Sequence, residues 1–72
     1  MRQTRHEKVA AAIATLVRRN ADLTDAAIAA EVKLPEPDIT EMLDTRLSHV
    51  WAKLPIGWKI GRAENAVIVY RP

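Results

Sequence analysis

The sequence predicts an α+β domain, a three-helix bundle closed by a C-terminal β-hairpin. Apolar residues recur at helical spacing in three segments up to Val50. The prolines of "KLPEP" separate the second segment from the third. After Trp51 the pattern becomes alternating and β-branched around the turn "AENA". With 72 residues and no cysteine, the chain forms one thin core held by packing, without disulfides.

Helix 1 is expected near residues 5–19, where Val9, Ile13, Leu16 and Val17 form one stripe and alanines at 10, 11, 12 and 14 raise helix propensity. Thr4 and Glu7 have capping-box spacing at its start. Arg18 and Arg19 suit the C-terminal dipole, and Asn20 tolerates a left-handed stop. Residues 21–23 can add a short strand against the later hairpin. Helix 2 is expected near 25–32, capped by Thr24, with Asp25 in the favourable first turn and Leu23 and Ile28 spaced as a hydrophobic staple.

Helix 3 is expected near 37–50, with Pro37 at its first position. Ile39, Leu43, Leu47 and Val50 form its apolar stripe, with Met42 beside them, and the opposite face presents Glu41, Asp44, Thr45 and Ser48. The hairpin is expected near 57–61 and 66–71, with Asn65 available for positive φ. Trp58 reads as core. Trp51 reads equally as core or as an exposed anchor, and Tyr70 faces solvent or a partner.

The net charge of +2 is unevenly placed. Residues 1–21 carry five Lys/Arg against Glu7, for +4. Residues 22–44 carry seven acids against Lys33, for −6, and residues 45–72 carry five basic residues against Glu64, for +4. This basic, acidic, basic order argues for charged partners. No apolar run reaches the ~18–20 residues of a membrane span, and "MRQTRHEKVAAAIATLVRRN" reads as a helix, not a signal peptide. His6 and His49 lack a third ligand at metal spacing and read as surface residues. No nucleophile–base pair is visible, so no enzymatic activity and no cofactor are expected. A reducing cytoplasm suits the absence of cysteine.

Leu23-Thr24, Ile28-Ala29, Val32, Leu34-Pro35 and the series Ile39, Leu43, Leu47 together resemble the winged helix-turn-helix superfamily, across roughly residues 8–71. The resemblance implies that helix 3 enters the major groove of double-stranded DNA while the hairpin wing touches the backbone. Carried onto this chain, helix 3 would offer Thr40, Glu41, Asp44, Thr45 and Ser48, and the wing Lys59, Arg62 and Arg71. It also places Lys33 where the family commonly has glycine, a mild strain at a left-handed position.

Helix 3 is nonetheless acidic, and a carboxylate near a phosphate is repulsive by roughly 1 kcal/mol even when solvated. Attraction would therefore come from Arg2, Arg5, Lys53, Lys59, Arg62 and Arg71, with Thr40, Thr45 and Ser48 adding polar contacts. The leading expectation is a small DNA-binding regulator of transcription, able to form a homodimer and not associated with membrane. The alternative is an adaptor or inhibitor that binds a basic protein through Asp38, Glu41, Asp44 and Trp51. The DNA reading predicts affinity that falls steeply with salt and drops for Lys59→Ala combined with Arg62→Ala, measured by gel shift; insensitivity to both changes counts against it.

Overall fold

The computed structural model describes residues 2–72. Four helices precede a two-stranded antiparallel hairpin: α1 (Arg5–Arg18), α2 (Asp25–Val32), α3 (Glu36–Thr45), α4 (Leu47–Trp51), β1 (Lys59–Ala63) and β2 (Ala66–Tyr70). No helix is long and apolar enough to cross a membrane.

The local signals for α1 and α2 act as expected. Thr4 accepts from the Glu7 backbone N–H at 3.2 Å, and Glu7 accepts from the Thr4 backbone N–H at 3.3 Å. Thr24 accepts from the Ala27 N–H at 3.1 Å. Asn20, Lys33 and Asn65 all take positive φ, at 55°, 61° and 55°. The α1 C-terminus closes when Ala21 donates to the Leu16 carbonyl, and that of α2 when Leu34 donates to the Ala29 carbonyl.

The third helix is shorter than its apolar stripe suggests. Arg46, at φ −135° and ψ 32°, breaks the expected 37–50 helix into α3 and α4. The physical reason is packing in two directions: α3 lies against α2, whereas α4 lies against α1. One straight rod cannot follow both, and the break lets Val50 become fully buried. The Thr45 hydroxyl donates to the Glu41 carbonyl at 2.7 Å, a back-bond that favours bending there. At the other end α3 begins one residue early, with Pro35 as its cap residue and Pro37 in its first turn.

The hairpin also begins later than expected, at Lys59 and not near 57. Residues 55–58 form a turn in which Trp58 donates to the Pro55 carbonyl at 3.1 Å and Gly57 takes φ 88°. Trp58 is buried, as its apolar character implied. Pairing runs from Lys59–Tyr70 to Ala63–Ala66, so Ile60 and Arg62 lie on one face with Val67 and Val69 opposite them. The short strand expected over 21–23 does not form: an isolated bridge pairs Thr24 with Ala66, and Val67 donates to the Leu23 carbonyl at 3.0 Å.

One core joins all these elements. Val9, Ile13, Ile28, Ile39 and Val50 are fully buried, with Leu43 nearly so, and Ile60, Val67 and Trp58 cover them from the hairpin side. Lys33 is exposed at its left-handed position, where a Cβ is disfavoured. Lys33→Gly is therefore expected to stabilise the domain by about 0.5–1 kcal/mol in urea unfolding. A lower midpoint would show that the lysine side chain contributes more than its backbone strain costs.

Candidate interaction face on the third helix

The chemistry of this face starts beneath it. Arg62 lies on the inner face of β1, two residues from buried Ile60, and points its guanidinium at the N-terminus of α2. Its two terminal nitrogens donate to the two Asp25 oxygens at 2.6 and 2.8 Å. Nη1 also donates to the Ala66 carbonyl at 2.9 Å, and Nε donates to Asp44 Oδ1 at 2.8 Å. The Thr40 hydroxyl completes the set, donating to Asp25 Oδ2 at 2.7 Å. Asp25 is only 1% exposed, yet no buried side-chain polar atom among the described residues lacks a partner.

These contacts shift both ionisations. The Arg62 guanidinium holds the Asp25 carboxyl below its ordinary value, with the Thr40 hydroxyl assisting and burial opposing. Asp25, and Asp44 after it, push the Arg62 guanidinium further up. Glu7 is also lowered, first by the Thr4 backbone N–H and then by the Thr4 hydroxyl.

Above this network α3 presents an open face formed by Glu36, Pro37, Thr40, Glu41, Asp44 and Thr45 of this one helix. The lining follows from helix geometry. Glu36, Thr40 and Asp44 are four apart, as are Pro37, Glu41 and Thr45, so the two rows form adjacent ridges. The first ridge is partly committed inward, since Thr40 serves Asp25 and Asp44 serves Arg62. Glu36 and Glu41 have no ionic partner among the described residues. Asp38 is paired with Arg5 at 3.7 Å, both partners well exposed.

The fold gives the expected DNA-contact residues different surroundings. Arg62 is held by carboxylates, so it is not a free wing cation, and Arg62→Ala would report on folding before it reported on DNA. Thr40 is turned inward, and the Thr45 hydroxyl is bonded to its own helix. Ser48 lies on α4, past the break, and is exposed. Arg2, Lys53 and Lys59 are exposed, and Arg71 lies 5.6 Å from the Trp58 ring centroid. The hairpin tip carries Glu64 in place of a cation. Of the alternative set, Asp38, Glu41 and Asp44 all belong to α3, while Trp51 ends α4 at 44% exposure. His6 and His49 stack with ring centroids 5.1 Å apart, joining α1 to α4.

Asp25 was not among the expected site residues, because a carboxylate in a first helical turn is fully accounted for by the dipole. The signal lay in strand parity: Ile60 and Arg62 share a face, so a buried Ile60 carries Arg62 inward and requires a buried acid.

Removing Arg62 would strand Asp25, and breaking a buried pair costs roughly 3–5 kcal/mol. A domain of this size has only about 4–11 kcal/mol in total. Arg62→Ala is thus expected to lose roughly 3–5 kcal/mol in urea unfolding, a large share of that total, and Lys59→Ala to change stability by less than about 0.5 kcal/mol. Because the folded Asp25 value is depressed, its contribution is complete above the ordinary carboxylate range and is lost as pH falls through the folded value. Asp25→Asn should therefore flatten the acid limb of the stability curve; an unchanged limb would mean that Asp25 does not drive acid unfolding.

Comparison of the chain with family models, with curated proteins and with solved structures finds no match, which leaves its own side chains to define the site.

Proposed function

We propose that this domain is a non-enzymatic binding module of winged-helix type that captures a basic protein segment on α3, as an adaptor or inhibitor. The observation that carries the reading is the fate of Arg62. One of the wing cations expected to meet DNA is spent inside the fold, and the α3 face above it keeps Glu36 and Glu41 without counter-charges.

The face suits a lysine- or arginine-bearing segment for two reasons. Its carbon surface, from Pro37 and the threonine methyls, can cover the aliphatic stem of such a side chain. Glu36 and Glu41 then accept from the cationic head, and Asp44 Oδ2 is free to add a bond while Oδ1 retains Arg62. A phosphate backbone laid on the same ridge would meet those carboxylates first, which is unfavourable. Support for the winged-helix arrangement comes from element order and from the Thr24–Ala66 bridge that docks the hairpin on α2.

The test is an NMR titration of the labelled domain with an arginine- and lysine-rich peptide and, separately, with random duplex DNA. The peptide is expected to shift amides of residues 36–45. Glu36→Lys with Glu41→Lys should weaken peptide binding by a hundredfold or more, roughly the several kcal/mol of like-charge juxtaposition. Asp44 is left intact because its loss would also loosen Arg62. Duplex DNA that shifts the α3 amides of the unmodified protein would overturn the proposal in favour of groove reading.

A further inference from the structure

The other charged surface has the opposite sign and surrounds the turn that leads into the hairpin. Ile56 and Gly57 are the two corners of that turn, across which Trp58 donates to the Pro55 carbonyl at 3.1 Å. Gly57 takes φ 88°, as the second corner of such a turn requires, and a Cβ there would lie 3.2 Å from Pro72 Cγ. Ile56 at the first corner is 100% exposed, so its side chain adds nothing to the core. Isoleucine is also not a residue that turns favour.

Three cations stand on the flanks of this turn. On the α1 side, Arg18 and Lys53 line one shallow groove together with Leu54 and Pro55. Arg18 also reaches the far end of the turn, 5.5 Å from the centroid of the Trp58 ring. Arg71, next to the Pro72 that packs against Gly57, lies 5.6 Å from the same centroid. None of the three forms a salt bridge among the described residues. The sequence has no acid between Asp44 and Glu64, and the carboxylate that feels Lys53 is Glu7, which is bonded to Thr4.

A fully exposed apolar tip with cations on both flanks fits a surface that is anionic and has an apolar layer beneath. A bilayer with acidic lipids is such a surface. It admits a convex side chain without a shaped socket, and its field acts on every cation within a screening length, so the cations need not lie in one plane. An acidic protein segment would neutralise the same cations but would use Ile56 only if it carried a matching apolar socket. We propose that the Pro55–Trp58 turn docks on the anionic face of a membrane, with Ile56 inserted at the headgroup boundary and Arg18, Lys53 and Arg71 drawn to acidic headgroups. No helix is long and apolar enough to span a bilayer, so the contact is peripheral. The expectation of no membrane role rested on the lack of a spanning segment, which a peripheral contact does not need.

The turn shares no residue with the α3 face, so the two readings fail separately. Co-sedimentation with vesicles of equal parts phosphatidylserine and phosphatidylcholine tests it, beside vesicles of phosphatidylcholine alone. Binding is expected to the acidic vesicles at low salt, weakening as salt rises, and not to the neutral ones. Ile56→Ser should weaken it roughly three- to tenfold without changing stability, since no burial is lost, and Ile56→Trp should strengthen it. Lys53→Gln with Arg71→Gln should weaken it by about tenfold or more, at roughly fivefold for each cation. Glu36→Lys with Glu41→Lys should not weaken it. Circular dichroism confirms that each variant is folded. Indifference to Ile56→Ser, equal binding to neutral vesicles, or no binding at low salt would each overturn the assignment. So would polyglutamate that binds the domain more tightly than acidic vesicles do, the mark of an acidic protein partner.

Discussion

One guanidinium decides how the two halves of this molecule meet. The hairpin contributes only Ile60, Val67 and part of Val69 to the core besides Trp58 at its base, which is little apolar surface with which to specify an orientation. Backbone bonds from Val67 to the Leu23 carbonyl and from Asp25 to the Asn65 carbonyl seat it on α2, and Arg62 extends the hold to α3. Its five-donor fork reaches α2 through Asp25, α3 through Asp44 and β2 through the Ala66 carbonyl. Taking such a pair out of water costs several kcal/mol per ion, and the cost is offset only when geometry and hydrogen bonding are complete. Here they are complete: both Asp25 oxygens are bonded, and Thr40 adds a further donor. An apolar pair of the same volume could stabilise as much, but it would not tie three elements at defined angles.

That commitment divides the polar face of α3. The residues nearer the hairpin, Thr40 and Asp44, spend their hydrogen bonds on the network. Glu36, one turn earlier in the same row, and Glu41, one position after Thr40, gain no partner from it and remain outward. The acidity that makes α3 unsuited to phosphate is thus partly structural. Asp44 neutralises Arg62, and the surplus lies with the two glutamates. A count of charges along the chain treats all of these acids alike, whereas the fold gives them different work.

Local chemistry made much of this architecture legible. The Thr4–Glu7 box, the Thr24 cap, and the left-handed Asn20, Lys33 and Asn65 follow from residue identity and near neighbours. The buried stripes of α1 and α2 follow from periodicity. The break at Arg46 does not, because Ile39, Leu43, Leu47 and Val50 fit one smooth stripe. Only the competing positions of α1 and α2 require the rod to divide. The late start of β1 has a similar origin, since Gly57 serves the turn before the strand. The site was less legible than the fold. Lysines and arginines look interchangeable in sequence, and only strand parity beside Ile60 distinguishes Arg62 from Lys59.

The same separation of charge explains how a molecule with a net charge of only +2 can present two strong and opposite surfaces. The domain measures 31 Å in its longest dimension, several times the ~8 Å screening length at physiological ionic strength. Charges separated by more than that length are largely screened from one another, so the unpaired Glu36 and Glu41 of α3 need not be cancelled by cations on distant parts of the surface. At low salt the screening length grows to the size of the protein, and the two fields then overlap across the fold.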